Sequence, residues 1–135
     1  MFFIKGVHKR LVKEFWYLVN DFGYKITKKS YFGRTIYVIF RSNECDIAVY
    51  VEGSYVGLSI TPLIKIPGME TERDKRFELY HILDVISPNL FFKEKEEQNL
   101  KKEIKRISYY FLEYCKDIIK GDFSIWPTVY KRWNR

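Results

Sequence analysis

Glu78, His81 and Asp84 follow one another at intervals of three, and a cysteine, Cys115, lies further along the chain. A thiol, an imidazole and a carboxylate within hydrogen-bond reach would supply a nucleophile, its base and an orienting group. The spacing of this set has a plainer reading: Glu78 and Asp84 flank His81 as neighbours on a helix surface, and Cys115 is a core thiol. His8 is the only other histidine, and neither histidine shares helical or strand spacing with another metal ligand, so no metal is expected. Cys45 and Cys115 are 70 residues apart without a CxxC pattern and read as two reduced, buried thiols. GxxxxGK[ST] and GxGxxG are both absent, and the seven glycines are scattered among turns and caps, which points to no nucleotide cofactor. Glu44, Asp46 and Glu52 sit near turns and read as solvated strand ends. Taken together, these residues predict a protein that is not an enzyme.

The stronger polar signal is cationic. Net charge is +7, and it is divided unevenly along the chain. Residues 1–41 carry nine Lys and Arg against two acids, residues 42–99 six against eleven, and residues 100–135 nine against four. The two ends therefore predict a basic surface around an acidic middle, able to attract nucleic acid, a membrane or an acidic protein. On a helical wheel Lys102, Lys105, Arg106, Lys116 and Lys120 gather opposite an apolar seam with Tyr109 among them, while Lys9, Arg10 and Lys13 share the start of the first helix. Positive charge beside an exposed aromatic is how single-stranded nucleic acid is held. Glu113 and Asp117 fall on the same polar half, as they do on an ordinary solvated helix.

Elements that position these groups follow from periodicity. Val7, Leu11, Phe15, Leu18 and Phe22 make one helical stripe that Gly23 closes. Four runs rich in β-branched and aromatic residues come next, YKITKKSYF, TIYVIF, CDIAVYV and YVGLSITPL, with breaks too short for a crossover helix. They predict a four-stranded antiparallel meander. Ile47, Val49 and Val51 alternate onto one face, as do Val56, Leu58 and Ile60, so helices must cover one side. Thr71 to Asp74 resembles a capping box opening a second helix with Leu79, Ile82, Leu83 and Ile86 on its stripe, stopped by Ser87-Pro88. A third helix is expected from about 96 to 120, its seam made by Leu100, Ile104, Ile107, Phe111, Tyr114 and Ile118.

KGDFSIWP, residues 120–127, reads as a helix-to-helix corner. Gly121 supplies a left-handed cap, Asp122 or Ser124 an acceptor for free N–H groups, and Pro127 suits a first turn. Trp126, Val129, Tyr130 and Trp133 then give a short last helix its apolar face. The prediction is one α+β domain spanning 1–135, its antiparallel sheet packed on one face by an N-terminal helix and C-terminal helices. No apolar run is long enough to span a bilayer, and the MFFI start is quickly followed by Lys5, which predicts a cytoplasmic protein without membrane contact.

YFGRTIYVIF places aromatics on a strand, as RNA-recognition sheets do, but Phe32-Gly33-Arg34 lacks the basic–Gly–aromatic–Gly order of that motif. A helix ending in DFGY, Tyr- and Val-rich strands, and a long helix closing with KGDFSIWP resemble a set of small bacterial proteins, some assigned as immunity proteins of polymorphic toxin systems. That resemblance implies a non-catalytic protein that binds and neutralises a toxin domain. Because the chain is basic, an acidic partner suits it better than a nuclease, unless the acidic segment 42–99 makes the contact. The alternative is nucleic-acid binding through the basic helices.

Overall fold

A computed structural model of the protein describes residues 2–90, 92–93, 95–96 and 99–133. It is an α+β fold around a five-stranded antiparallel sheet. Strands β1 (Lys25–Phe32), β2 (Thr35–Arg41), β3 (Cys45–Glu52) and β4 (Tyr55–Pro62) neighbour each other in chain order. A two-residue strand, β5 (Phe77–Glu78), pairs Ser59 with Glu78 and Ile60 with Phe77 at the far edge. The meander expected from the sequence is thus present with one short strand added.

Alternation does what the sequence predicts. Ile36, Val38 and Phe40, then Ile47, Val49 and Val51, then Val56, Leu58 and Ile60 are all buried on one face. Helix α1 (Phe2–Glu14) and helix α5 (Leu100–Tyr114) supply side chains to the same core. Burial of each large apolar side chain contributes ~1.5–3 kcal/mol as an upper bound, so this face dominates the stability.

Three helices expected to run unbroken are interrupted. The first stops at Glu14 and resumes as α2 (Tyr17–Asn20). Between them Trp16 N–H bonds the Lys13 carbonyl and Leu18 N–H the Phe15 carbonyl, a tightened turn that lets Phe15 and Leu18 both enter the core. The second splits into α3 (Glu72–Lys75) and α4 (Leu79–Ile86). Its capping box is real, with Asp74 N–H on Thr71 Oγ1 at 3.1 Å and Thr71 N–H on Asp74 Oδ2 at 3.4 Å. Arg76 nevertheless turns extended, because Phe77 and Glu78 pair with the outer edge of β4 in place of continuing the helix. The third ends at Tyr114, and α6 (Lys116–Ile119) follows, so that the adjacent Ile118 and Ile119 are both buried. Asn99 caps α5 through the Lys102 N–H; positions 97 and 98 of the expected first turn lie outside the described residues.

KGDFSIWP is the corner the sequence predicts. Gly121 has φ +98°, the Asp122 carboxylate accepts from Ser124 N–H at 2.9 Å, and α7 (Trp126–Trp133) begins two residues later. Trp126 is fully buried, its indole N–H donating to the Lys75 carbonyl at 2.7 Å and its ring edge-on to Phe123 and Phe77. Trp126 is therefore core and unavailable to a partner.

A Cβ on Gly121 would meet Glu44 Cγ at 2.9 Å in addition to the left-handed backbone. Gly121→Ala should cost about 1–2 kcal/mol in urea unfolding, chiefly from the backbone angle. Adding Glu44→Ala should recover only the smaller steric part; complete recovery would show the backbone to be unstrained.

Candidate functional site

The expected basic patch is partly dismantled by ion pairing. Arg106 is nearly buried, its Nε and Nη2 each 2.9 Å from an oxygen of Glu103, and Glu103 is 0 % exposed. Its Nη2 also donates to the Lys93 carbonyl at 2.7 Å, and the guanidinium lies over Phe92. Arg106 thus clips the segment before α5 onto that helix and is not part of an open cationic face. Arg10 pairs with Glu14 at 3.1 Å one turn along α1. What stays exposed is Lys102, Lys105, Tyr109 and Glu113 on α5, Lys116 at the start of α6, and Lys9 and Lys13 on α1. The two helices are joined where Ser108 Oγ donates to the Glu14 carbonyl at 2.6 Å and Tyr17 donates to the Ser108 carbonyl at 3.0 Å.

The residues considered for covalent chemistry lie in different surroundings. Cys115 is buried beside Tyr17, and burial pushes its thiol up to about 12, far from a working thiolate. His81 packs against Phe77, Tyr80 and Trp133 at the α4–α7 end. Its Nδ1 accepts from the Glu78 N–H at 3.1 Å, closing the cap of α4, so the remaining proton of the neutral ring sits on Nε2. Cys45 is also buried, 3.2 Å from the Tyr24 hydroxyl, which donates to the Ile119 carbonyl at 2.7 Å. Among the described residues no three His, Cys, Asp or Glu side chains converge as a metal site, and no helix is long and apolar enough to cross a membrane.

The expected basic patch did not include the aromatics that end β1, among them the most exposed aromatic of the described residues. Phe32 is 82 % exposed and Tyr31 56 %. They end β1 at the Gly33-Arg34 turn, where Phe32 pairs with Thr35. Lys25, Lys28 and Lys29 precede them on the same strand, and Lys28 Nζ lies over the Tyr37 ring. From Tyr24 to Asn43 there are five cations and no acid. Among the strands β1 pairs with β2 alone and forms one edge of the sheet, and its Ser30 carbonyl lies 2.8 Å from His8 Nε2 of α1. The signal was legible as two aromatics abutting a turn, where no core partner can reach them.

No family model, no curated protein and no solved structure matches this chain.

Burial among aromatic rings holds the His81 pKa below its usual 6.5, opposed by Asp84. A depressed folded value means the neutral ring is favoured in the fold. This contribution is complete above pH 6.5, the unfolded value, and is lost as pH falls through the lower folded value. Protonation at Nδ1 would also remove the acceptor for Glu78 N–H. Unfolding free energy followed from neutral pH downward should fall across this window, and His81→Gln should flatten the fall there. An unchanged profile in the variant would assign the acid sensitivity elsewhere.

Proposed function

We propose that the protein is a non-catalytic protein-binding module, of the kind that binds and neutralises a cognate bacterial toxin, and that it docks through the β1–β2 hairpin. The observation that carries this reading is Phe32, 82 % exposed beside Tyr31 at the hairpin tip. Two aromatics with an arginine, Arg34, next to them are the side-chain chemistry of interface hot spots. A one-sided edge strand also offers backbone groups to an extended partner segment. Lys25, Lys28, Lys29, Arg34 and Arg41 make that segment acidic. Edge-to-edge pairing with a second copy would set lysines against lysines and is disfavoured. A cytoplasmic setting suits the two free, buried thiols.

Coexpression with the product of an adjacent toxin-like gene tests this directly. A stable complex is expected, with Phe32→Ala weakening it by about 2 kcal/mol, roughly thirtyfold in Kd, while the isolated fold is unchanged. Higher salt should slow association. Equal affinity of Phe32→Ala and the parent would remove the hairpin as the docking surface, and the absence of any complex would count against the module itself.

One observation favours the alternative, nucleic-acid binding: Tyr109 is 60 % exposed among Lys102, Lys105 and Lys116. On that reading Lys102→Glu with Lys105→Glu lowers affinity for single-stranded DNA or RNA across all sequences and makes it less salt-dependent. Tyr109→Ala removes about 1–3 kcal/mol of stacking. No binding at low salt would dismiss it.

A further inference from the structure

The sheet face turned away from the helices holds a second feature, separate from the hairpin tip. Strand register arranges its residues in rows. Tyr37, Tyr50 and Gly57 oppose one another across β2, β3 and β4. Ile39, Ala48 and Ser59 form the next row, and Arg41, Asp46 and Thr61 the third. Rows on one face are two residues apart, about 7 Å. The middle row is short at its centre, because Ala48 and Ser59 reach much less far than the tyrosines on one side or the ionic groups on the other.

The result is a trough of about 520 Å³ with Ala48 and Ser59 on its floor and Tyr37 and Ile39 on one flank. That volume falls within the range of small-molecule sites. Thr61, Asp46, Glu72 and Arg76 line the opposite side. Asp46 is already satisfied by Arg41, at 2.6 and 2.7 Å. Arg76 donates from Nε to Thr61 Oγ1 at 3.4 Å, and among the described residues no carboxylate pairs with it. Glu72 is exposed and makes no ion pair within 4.0 Å among the described residues, although its charge is felt by Arg41. The Ser59 hydroxyl, on a residue only 7 % exposed, opens on the trough without a protein partner among the described residues. One wall therefore presents the Glu72 carboxylate at the start of α3 and the Arg76 guanidinium just past its end, across the small side chains of Ala48 and Ser59 from an aromatic ring.

We propose that this trough binds an aromatic α-amino acid. The ligand carboxylate pairs with Arg76 and the Ser59 hydroxyl, its ammonium with Glu72, and its ring lies across Ala48 against Tyr37 and Ile39. A free zwitterion meets both exposed charges at once, which an anion or a cation alone does not. A side chain one ring long spans the distance between the rows.

The test is titration of the full chain with L-phenylalanine, with phenylpropionate, which lacks the ammonium, and with phenethylamine, which lacks the carboxylate, followed by amide NMR shifts. Phenylalanine should bind in the millimolar range or tighter and shift amides of β2, β3 and β4 around Ala48. Each half-ligand should bind about tenfold more weakly. Arg76→Gln should weaken phenylalanine about tenfold, and Glu72→Gln should weaken phenylalanine while leaving phenylpropionate unaffected. Ala48→Leu, which fills the floor, should abolish binding in a folded protein. Half-ligands binding as well as phenylalanine, shifts mapping to another surface, Ala48→Leu binding normally, or no shifts at millimolar phenylalanine would each overturn the assignment.

Discussion

Three consecutive strands that alternate apolar and polar residues in phase impose one constraint on everything else. Ile36, Val38 and Phe40, Ile47, Val49 and Val51, and Val56, Leu58 and Ile60 fall on a single face, and that face has to be kept from water. Every covering element must then come to the same side. The chain meets the demand from both ends, with α1 preceding the sheet and α5 following it, and Phe15 of the N-terminal segment packs on Phe40 with ring centroids 6.4 Å apart. Because the cover is assembled from distant parts of the chain, its register depends on hydrogen bonds between them. Ser108 and Tyr17 join α5 to the end of α1, Tyr24 joins the start of β1 to α6, and the indole of Trp126 joins α7 to the end of α3.

These ties are polar groups placed inside an apolar layer, so each is useful only while its partner is present. Tyr24 and Trp126 are both buried and both bond to a backbone carbonyl that ends a short helix, Ile119 for the first and Lys75 for the second. A carbonyl at a helix end lacks an intrahelical donor, and a side-chain O–H or N–H supplies one. The Glu103–Arg106 pair follows the same logic with charge. Burying an unpaired carboxylate costs several kcal/mol, and the two-point contact with Arg106, with the Lys93 carbonyl taking a further N–H, offsets this cost. A lysine at position 106 would keep the charge and lose the fork.

The breaks in the helices explain which parts of the architecture were legible beforehand. Period-two alternation is a local property of each strand, so the meander and its buried face could be read directly. Phe15, Cys115 and Arg76 sit where a long-range demand overrides a local pattern that would have continued the helix. At Arg76 the demand is the unpaired edge of β4; at Cys115 it is the burial of two adjacent isoleucines; near Phe15 it is the reach of Tyr17 to Ser108. Ser108 and the β4 edge are both far in sequence from the breaks they cause. The same reason governs the candidate site. A helical wheel places Arg106 among lysines and shows Glu103 one turn away, but not that Glu103 is buried or that the Lys93 carbonyl and Glu96 reach Arg106 from the preceding segment. Phe32 was visible as an aromatic beside Gly33, yet its exposure depended on β1 being an edge.

Coverage on one side leaves the opposite face of the sheet free to vary, with one exception. Every residue of β4 from Val56 to Pro62 is buried, although alternate ones point away from the helices. Gly57 is buried because the Tyr50 ring lies across it, where a Cβ would collide, and the Tyr50 hydroxyl donates to Glu78 Oε1. Glu78 in turn gives its N–H to His81, whose ring packs on Trp133. This line of contacts runs from the open face of the sheet to the last helix. The Glu78 side chain also accepts from the His81 backbone N–H as the cap of α4, so the line acts as a brace. The brace holds α4 and α7 against the β4 edge, while the tip of the β1–β2 hairpin, where Tyr31 and Phe32 are exposed, takes no part in the core. Changes of side chain there alter what the surface meets without disturbing the layer that keeps the chain folded.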